Sequence, residues 1–230
     1  MLAAYCVVAL VGLLPSSVAR ADSVVEGIDV AAAGVDWAGV QSKGAAFAYI
    51  KATQGRDGVN AAFAELISGA TTNGLFHGAF HVAAPDTSNG VDQANYFVDH
   101  GGVWTPDDDH TLPGAILLQG KGKAHECYGL DPAAMVRWLK DFSNTYRTRS
   151  ADRPPVIATT VEWWKTCTGD SGDFGSVNPL WILHSAGSAD ALPAGWLFST
   201  ITQYKVSGPN RGMDKFAGDQ AALKQFATTT

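Results

Sequence analysis

The stretch Leu112, Pro113, Gly114, Ala115, Ile116, Leu117, Leu118, Gln119 decides how the chain is read. Its unbroken apolar segment stands behind a Pro-Gly break and is too short for a helix. It is one of a series of short β-rich runs that alternate with segments of helical period, the pattern of a mostly parallel sheet or barrel. Working outward from it, the strands predicted are Val24 to Val30, Phe47 to Ala52, Phe76 to Val82, Ala115 to Gln119, Pro155 to Thr159, Leu180 to His184 and Phe198 to Tyr204. Segments of helical period fall between them. Phe63, Leu66, Ile67 and Ala70 form one apolar face that Gly74 ends, and Met135, Leu139, Phe142 and Tyr146 form another, with Asp131 as N-cap and Pro132 as first helical residue. Alternation of this kind predicts an α/β fold, a single irregular (β/α) barrel of the TIM type. Chemistry in such barrels gathers at the carboxyl ends of the strands, so Asp29, Lys51 to Gln54, His81, Gln119, Ala158, His184 and Gln203 are the positions to inspect.

The chain has 230 residues, a length that one barrel fills without a second domain. Leu2 to Leu14 is an apolar run too short to span a bilayer, and Ala19, Arg20, Ala21 place small residues where a signal peptidase needs them. Residues 1–21 are therefore expected to be a signal peptide and 22–230 the mature, secreted domain. Its removal takes Arg20 and no acid, so the formal charge moves from −6 to −7. An acidic chain disfavours nucleic acid as a partner and is mildly repelled by anionic bacterial walls. Cys6 leaves with the leader. Cys127 and Cys167 remain, an even count that in an oxidising compartment suggests one disulfide, while a metal site lacks enough thiol and histidine partners. No Asn-x-Ser/Thr sequon occurs.

Several strings, spread in order from residue 27 to 218, resemble glycoside hydrolase family 25, the Chalaropsis-type muramidases that cut the glycan of bacterial peptidoglycan. They are Gly27-Ile28-Asp29-Val30, Tyr49 to Gly55, Gly78-Ala79-Phe80-His81, Gln93 to Phe97, Leu112 to Ala115, Asn178 to Trp181, Leu192 to Trp196, Gln203-Tyr204 and Asp214. Cys127 to Leu130 and Trp163 to Gly169 are similar to the disulfide-bearing fungal branch. The resemblance implies an irregular barrel and a pocket built around an Asp-x-Glu pair on the strand after Leu-Pro-Gly-Ala. It implies a secreted monomer acting on peptidoglycan or another glycan without a cofactor or metal.

The pair is missing. Leu117 and Gln119 stand in its two places, and other departures fall on the same surface: Ala31 to Gly34 after Asp29, Gln54 for Glu, Ala158 for Tyr, His184 for Arg, and Thr202 for Trp. Glycoside hydrolysis needs a carboxylic acid to protonate the leaving oxygen and a carboxylate to assist the developing cation or the incoming water. Gln119 keeps the length of Glu and has no acidic proton to give. Asp29 and Asp214 match pocket positions, leaving two readings open: a remnant carboxylate pair, or an Asp29 that accepts backbone hydrogen bonds for the fold. The expected pocket thus consists of Asp29, Leu117, Gln119 and Asp214, rimmed by Gln54, His81, Ala158, His184, Thr202, Gln203 and Tyr204.

Of the six histidines, His77 and His81 lie too far apart along one strand to share an ion. Trp163, Trp164, Trp181 and Trp196 fall in framework strings, which favours core packing over sugar platforms. Lys121, Lys123 and Lys205 fall beside the expected mouth. Three readings follow: a lysozyme-fold protein that has lost hydrolysis and acts by binding, a residually active muramidase, or a secreted structural or immune-facing protein with no glycan affinity.

Overall fold

The computed structural model describes residues 24–122, 125–183, 191–207 and 211–229. The expected signal peptide, Lys123 and His184 lie outside them. Strands and helices run in the order β1 (Val24–Val30), α1 (Trp37–Ser42), β2 (Phe47–Gln54), β3 (Gly58–Val59), α2 (Phe63–Thr72), β4 (Phe76–Val82), α3 (Gly90–Phe97), β5 (Ala115–Leu118), α4 (Pro132–Arg149), β6 (Val156–Thr159), α5 (Val161–Thr168), β7 (Leu180–Ile182), β8 (Ile201–Val206), β9 (Arg211–Ala217) and α6 (Gln220–Thr228). A π-helical turn, Val98–Gly102, continues α3. Among the described residues no helix is long and apolar enough to cross a membrane.

Hydrogen bonding in the order β1-β9-β8-β7-β6-β5-β4-β2, with β2 returning to β1, closes a barrel, and β3 is an appendage of β2. Neighbours from β1 through β8 are parallel. The last strand, β9, runs antiparallel to both β8 and β1. Its direction follows from the connection, because the few residues after β8 can turn the chain back but cannot carry it across the barrel. β9 is the barrel strand missed in the sequence, where its apolar positions are interrupted by Arg211, Asp214 and Lys215, and the two-residue β3 was missed with it. β8 also lies later than expected, beginning at Ile201 and leaving Phe198 exposed.

Side chains alternate across the wall, except where the register shifts in β2 between Lys51 and Thr53 and in β8 between Gln203 and Lys205. One set fills the barrel: Val25, Phe47, Tyr49, Phe80, Val82, Ala115, Leu117, Val156, Ala158, Trp181, Leu183, Ile201 and Phe216. The other set meets the helices, in one cluster under α3, α4 and α5 and another under α1 and α2. Gly27 and Gly78 lack side chains for a steric reason, since a Cβ at either would overlap the ring of Phe47 or Tyr49 inside the barrel. Asp131 caps α4 by accepting from the Ala134 N–H at 2.7 Å, with Pro132 behind it. Cys127 and Cys167 are disulfide-bonded, with Cα atoms 5.2 Å apart, and tie the loop after β5 to α5.

Candidate active site

Following the inward set of residues toward the carboxyl ends of the parallel strands leads to Asp29 on β1, Lys51 on β2, Val82 on β4, Leu117 on β5, Ala158 on β6 and Gln203 on β8. Leu117 is 9% exposed and stands in register with Val82 on one side and Ala158 on the other. This sector of the mouth is therefore apolar. Gln119 follows directly after β5 and is exposed, while its backbone carbonyl accepts from the Tyr128 hydroxyl at 2.7 Å. Tyr128 thereby fixes the end of the strand, a role the sequence did not disclose.

Across the barrel two carboxyl groups survive together. Asp214 on β9 pairs in register with Gly27 and Gln203, and Asp29 with Gly212, so the two acids are diagonal neighbours on the inner face. Gln203 Nε2 donates to Asp29 Oδ2 at 2.7 Å. Trp181 Nε1 donates to Asp214 Oδ1 at 2.9 Å. Asp214 is fully buried, and its Oδ2 meets no N–H or O–H donor among the described residues. The Asp29 carboxyl is the polar group beside it. Two carboxylates cannot hydrogen-bond, so the contact requires that one oxygen keep its proton. Burial raises Asp29 above the usual carboxylate range, and raises Asp214 well above it with the Asp29 charge as the next cause. Of the two, Asp214 is the carboxyl held more strongly toward its neutral form.

Of the other rim positions, Gln54 Oε1 accepts from Lys51 Nζ at 2.6 Å, and both line a cleft of about 270 Å³ with Ala31 and Asn60. Burial without an acid partner lowers Lys51. His81 is not at the rim. It points outward from β4, fully buried, between Thr53 Oγ1 at 2.8 Å and Gln93 Oε1 at 2.9 Å, and its ring stacks on Phe142. Burial lowers it to about 4, which leaves it a neutral structural residue. The sequence placed it correctly on the strand and on the wrong face, because a fully buried strand has no polar alternation to betray its register.

Thr202 and Tyr204 also leave the pocket. Thr202 Oγ1 meets Ser199 Oγ at 2.8 Å, and the Tyr204 hydroxyl donates to Glu26 Oε2 at 2.8 Å on the outer wall beside Lys215. Lys121 is paired with Asp86 at 2.9 Å. All four singled-out tryptophans are core residues, and Trp181 additionally serves Asp214. Asp108, Asp109 and His110 group their ligand atoms within 4.8 Å on an exposed loop remote from the mouth.

The barrel and its mouth have clear counterparts. The family described as glycosyl hydrolases family 25 matches residues 28–213. The chain belongs to this family. An N,O-diacetylmuramidase of Chalaropsis sp is 38% identical over 211 residues, covering 89% of this chain and 99% of its own. Lysozyme M1 of Streptomyces globisporus is 37% identical over 214 residues, covering 90% of this chain and 72% of its own. The solved muramidase of Acremonium alcalophilum superposes with a TM-score of 0.85 at 40% identity, covering 90% of this chain and all of that one. Against that framework the family 25 chain described here keeps the wall of the barrel and carries Leu117 and Gln119 at its mouth.

Proposed function

We propose that this family 25 protein is secreted and binds the glycan of peptidoglycan, or a related glycan, at the barrel mouth without hydrolysing it. The observation that carries this reading is the end of β5, where Leu117 packs between Val82 and Ala158 and Gln119 ends in an amide. Loss of general acid catalysis alone costs about 10² to 10⁴ in rate. Lys51, Gln54, Gln119 and Gln203 leave a mouth that can hydrogen-bond hydroxyl and acetamido groups and offers no carboxylic acid to protonate a leaving oxygen. The protein acts as a monomer and needs no cofactor.

One observation favours a second reading, residual hydrolysis: Asp214 and Asp29 form a neutral acid beside a carboxylate, the division of labour that glycosidases use. Its position argues against it. Asp214 is fully buried within the barrel, so it cannot reach a glycosidic oxygen.

The deciding experiment measures release of reducing ends from bacterial walls beside co-sedimentation with insoluble peptidoglycan and with chitin. Binding without release is expected. Release abolished by Asp29→Asn would overturn the proposal, and absence of both release and binding would favour a protein with no glycan affinity. Leu117→Asp with Gln119→Glu should recover little activity, because Ala31 to Ala33 and Ala158 no longer position a substrate and about 1 Å of misplacement can cost about 10²-fold.

A further inference from the structure

Opposite the mouth, at the amino-terminal end of the parallel strands, the barrel carries a larger cleft of about 700 Å³. It opens beside the residues that lead into β6, β7 and β8, and its other wall is the end of β9 with α6. Ligand cavities of small apolar molecules fall in the range of about 300 to 1,000 Å³. The walls are apolar, including Trp196, Phe216 and Phe226. At the rim Leu197 is 95% exposed, Phe198 66% and Val177 44%, which is unusual for large apolar residues set side by side around one opening.

Arg153 lines the same cleft and is only 9% exposed. Its guanidinium lies between the rings of Trp104 and Phe226, at 5.4 and 5.1 Å from their centres. Nη1 donates to the Thr229 carbonyl and Nη2 to the Phe226 carbonyl at 2.6 Å, both at the end of α6. Nε is buried and has no hydrogen-bond partner among the described residues, each Nη keeps a second N–H beyond its carbonyl bond, and no carboxylate among the described residues compensates the charge. Helix-end carbonyls and ring faces offset part of the cost of burying a cation. A buried guanidinium is ordinarily matched by an anion, because five N–H donors withdrawn from water otherwise stay partly unsatisfied.

We infer that this cleft binds an anionic amphiphile, a carboxylate head on an unbranched apolar chain, with the head at Arg153 and the chain along the wall that Phe198 and Val177 extend. Charge complementarity selects the head, and the exposed rim selects the tail. The site is independent of the barrel mouth and of the proposed glycan binding.

Calorimetric titration of the full secreted protein with dodecanoate, dodecanol and dodecyltrimethylammonium, below their micelle concentrations, tests this. One dodecanoate per chain is expected, about tenfold or more tighter than either of the other two, as a charge-assisted hydrogen bond implies. Phe198→Ser and Val177→Ser, both at exposed positions, should weaken dodecanoate several-fold without changing the melting temperature. Arg153→Gln should abolish the preference for the carboxylate. If that variant does not fold, the head-group series and the two rim variants still decide. Equal affinity for the three amphiphiles, indifference to Phe198→Ser, or a dimer in sedimentation that Phe198→Ser dissociates would overturn the inference, the last by making a second copy the occupant.

Discussion

Replacing Asp214 by Asn should remove a pH dependence from the stability of this protein. Asp214 is fully buried, accepts from Trp181 through Oδ1, has the Asp29 carboxyl as its charged neighbour, and its Oδ2 meets no hydrogen-bond partner among the described residues. Its ionisation is held well above the usual range by burial, and next by the charge of Asp29. In the unfolded chain an Asp ionises near pH 4. Above that pH, folding must take up one proton, so the native state binds one more than the unfolded state. Stability conferred by a raised carboxyl is fully present below the unfolded value and is lost as pH rises through the folded one. The slope is about −1.4 kcal/mol per pH unit across that window.

Asparagine keeps an oxygen for Trp181 and offers Nδ2–H to Asp29, reproducing the protonated acid without titrating. The difference in unfolding free energy between Asp214→Asn and wild type should therefore grow in favour of the variant, by about 1.4 kcal/mol for each pH unit above 4 until Asp214 itself ionises. Urea unfolding followed by tryptophan fluorescence at half-unit steps from about pH 4.5 to 7.5 measures it. Parallel stability curves would refute the reasoning, since they would mean that Asp214 is ionised in the native state and that the carboxyl pair shares no proton.

Breaking the disulfide with Cys167→Ala should cost about 4 kcal/mol, the chain-entropy value for a loop of this length, read as a lower urea midpoint; two free thiols in the secreted protein would contradict the pairing. Gly212→Ala would drive its methyl group into Asp29 Oδ2 and Gln203 Nε2, so it should cost about 1 to 3 kcal/mol in the same assay, whereas the same change at half-buried Gly39 would meet the Asp36 cap of α1 outside the barrel and should leave the Asp29 environment unaltered. The mature chain should begin at or near Asp22, which N-terminal sequencing of secreted material would check; a start at Met1 would exclude cleavage.

The sequence was legible where periodicity and packing agree. β1 and β4 fall where alternating and apolar runs placed them, and Asp131-Pro132 opens α4 as helix capping chemistry requires. It was not legible where one strand serves two environments. β9 buries Asp214 and Phe216 inside the barrel and turns Lys215 outward, and its buried acid interrupts the apolar pattern that marks a strand. His81 illustrates the converse. Both faces of β4 are buried, so nothing in the local pattern reveals that His81 meets Gln93 of α3 while Phe80 and Val82 fill the barrel. The partnership of Trp181 with Asp214 spans 33 residues and depends on β7 and β9 lying two strands apart, which only the closed barrel supplies.

The changes at the mouth are coherent as packing. A carboxylate at position 117 would sit between Val82 and Ala158 in a cluster that includes Tyr49, Phe80 and Trp181, and would bear the cost of desolvation without a donor in register with it. Leu117 removes that cost and extends the apolar core to the opening. Across the barrel the polar groups instead engage one another: Gln203 holds Asp29, Trp181 holds Asp214, and burial beside Asp29 holds Asp214 toward its neutral form. A side chain committed to a neighbour in this way is poorly placed to exchange protons with a substrate, since every transfer would leave a buried charge behind. The end of the barrel that resembles an active site is thus internally neutralised. The opposite end, with Arg153 buried and unmatched by any described acid, retains the unspent binding potential.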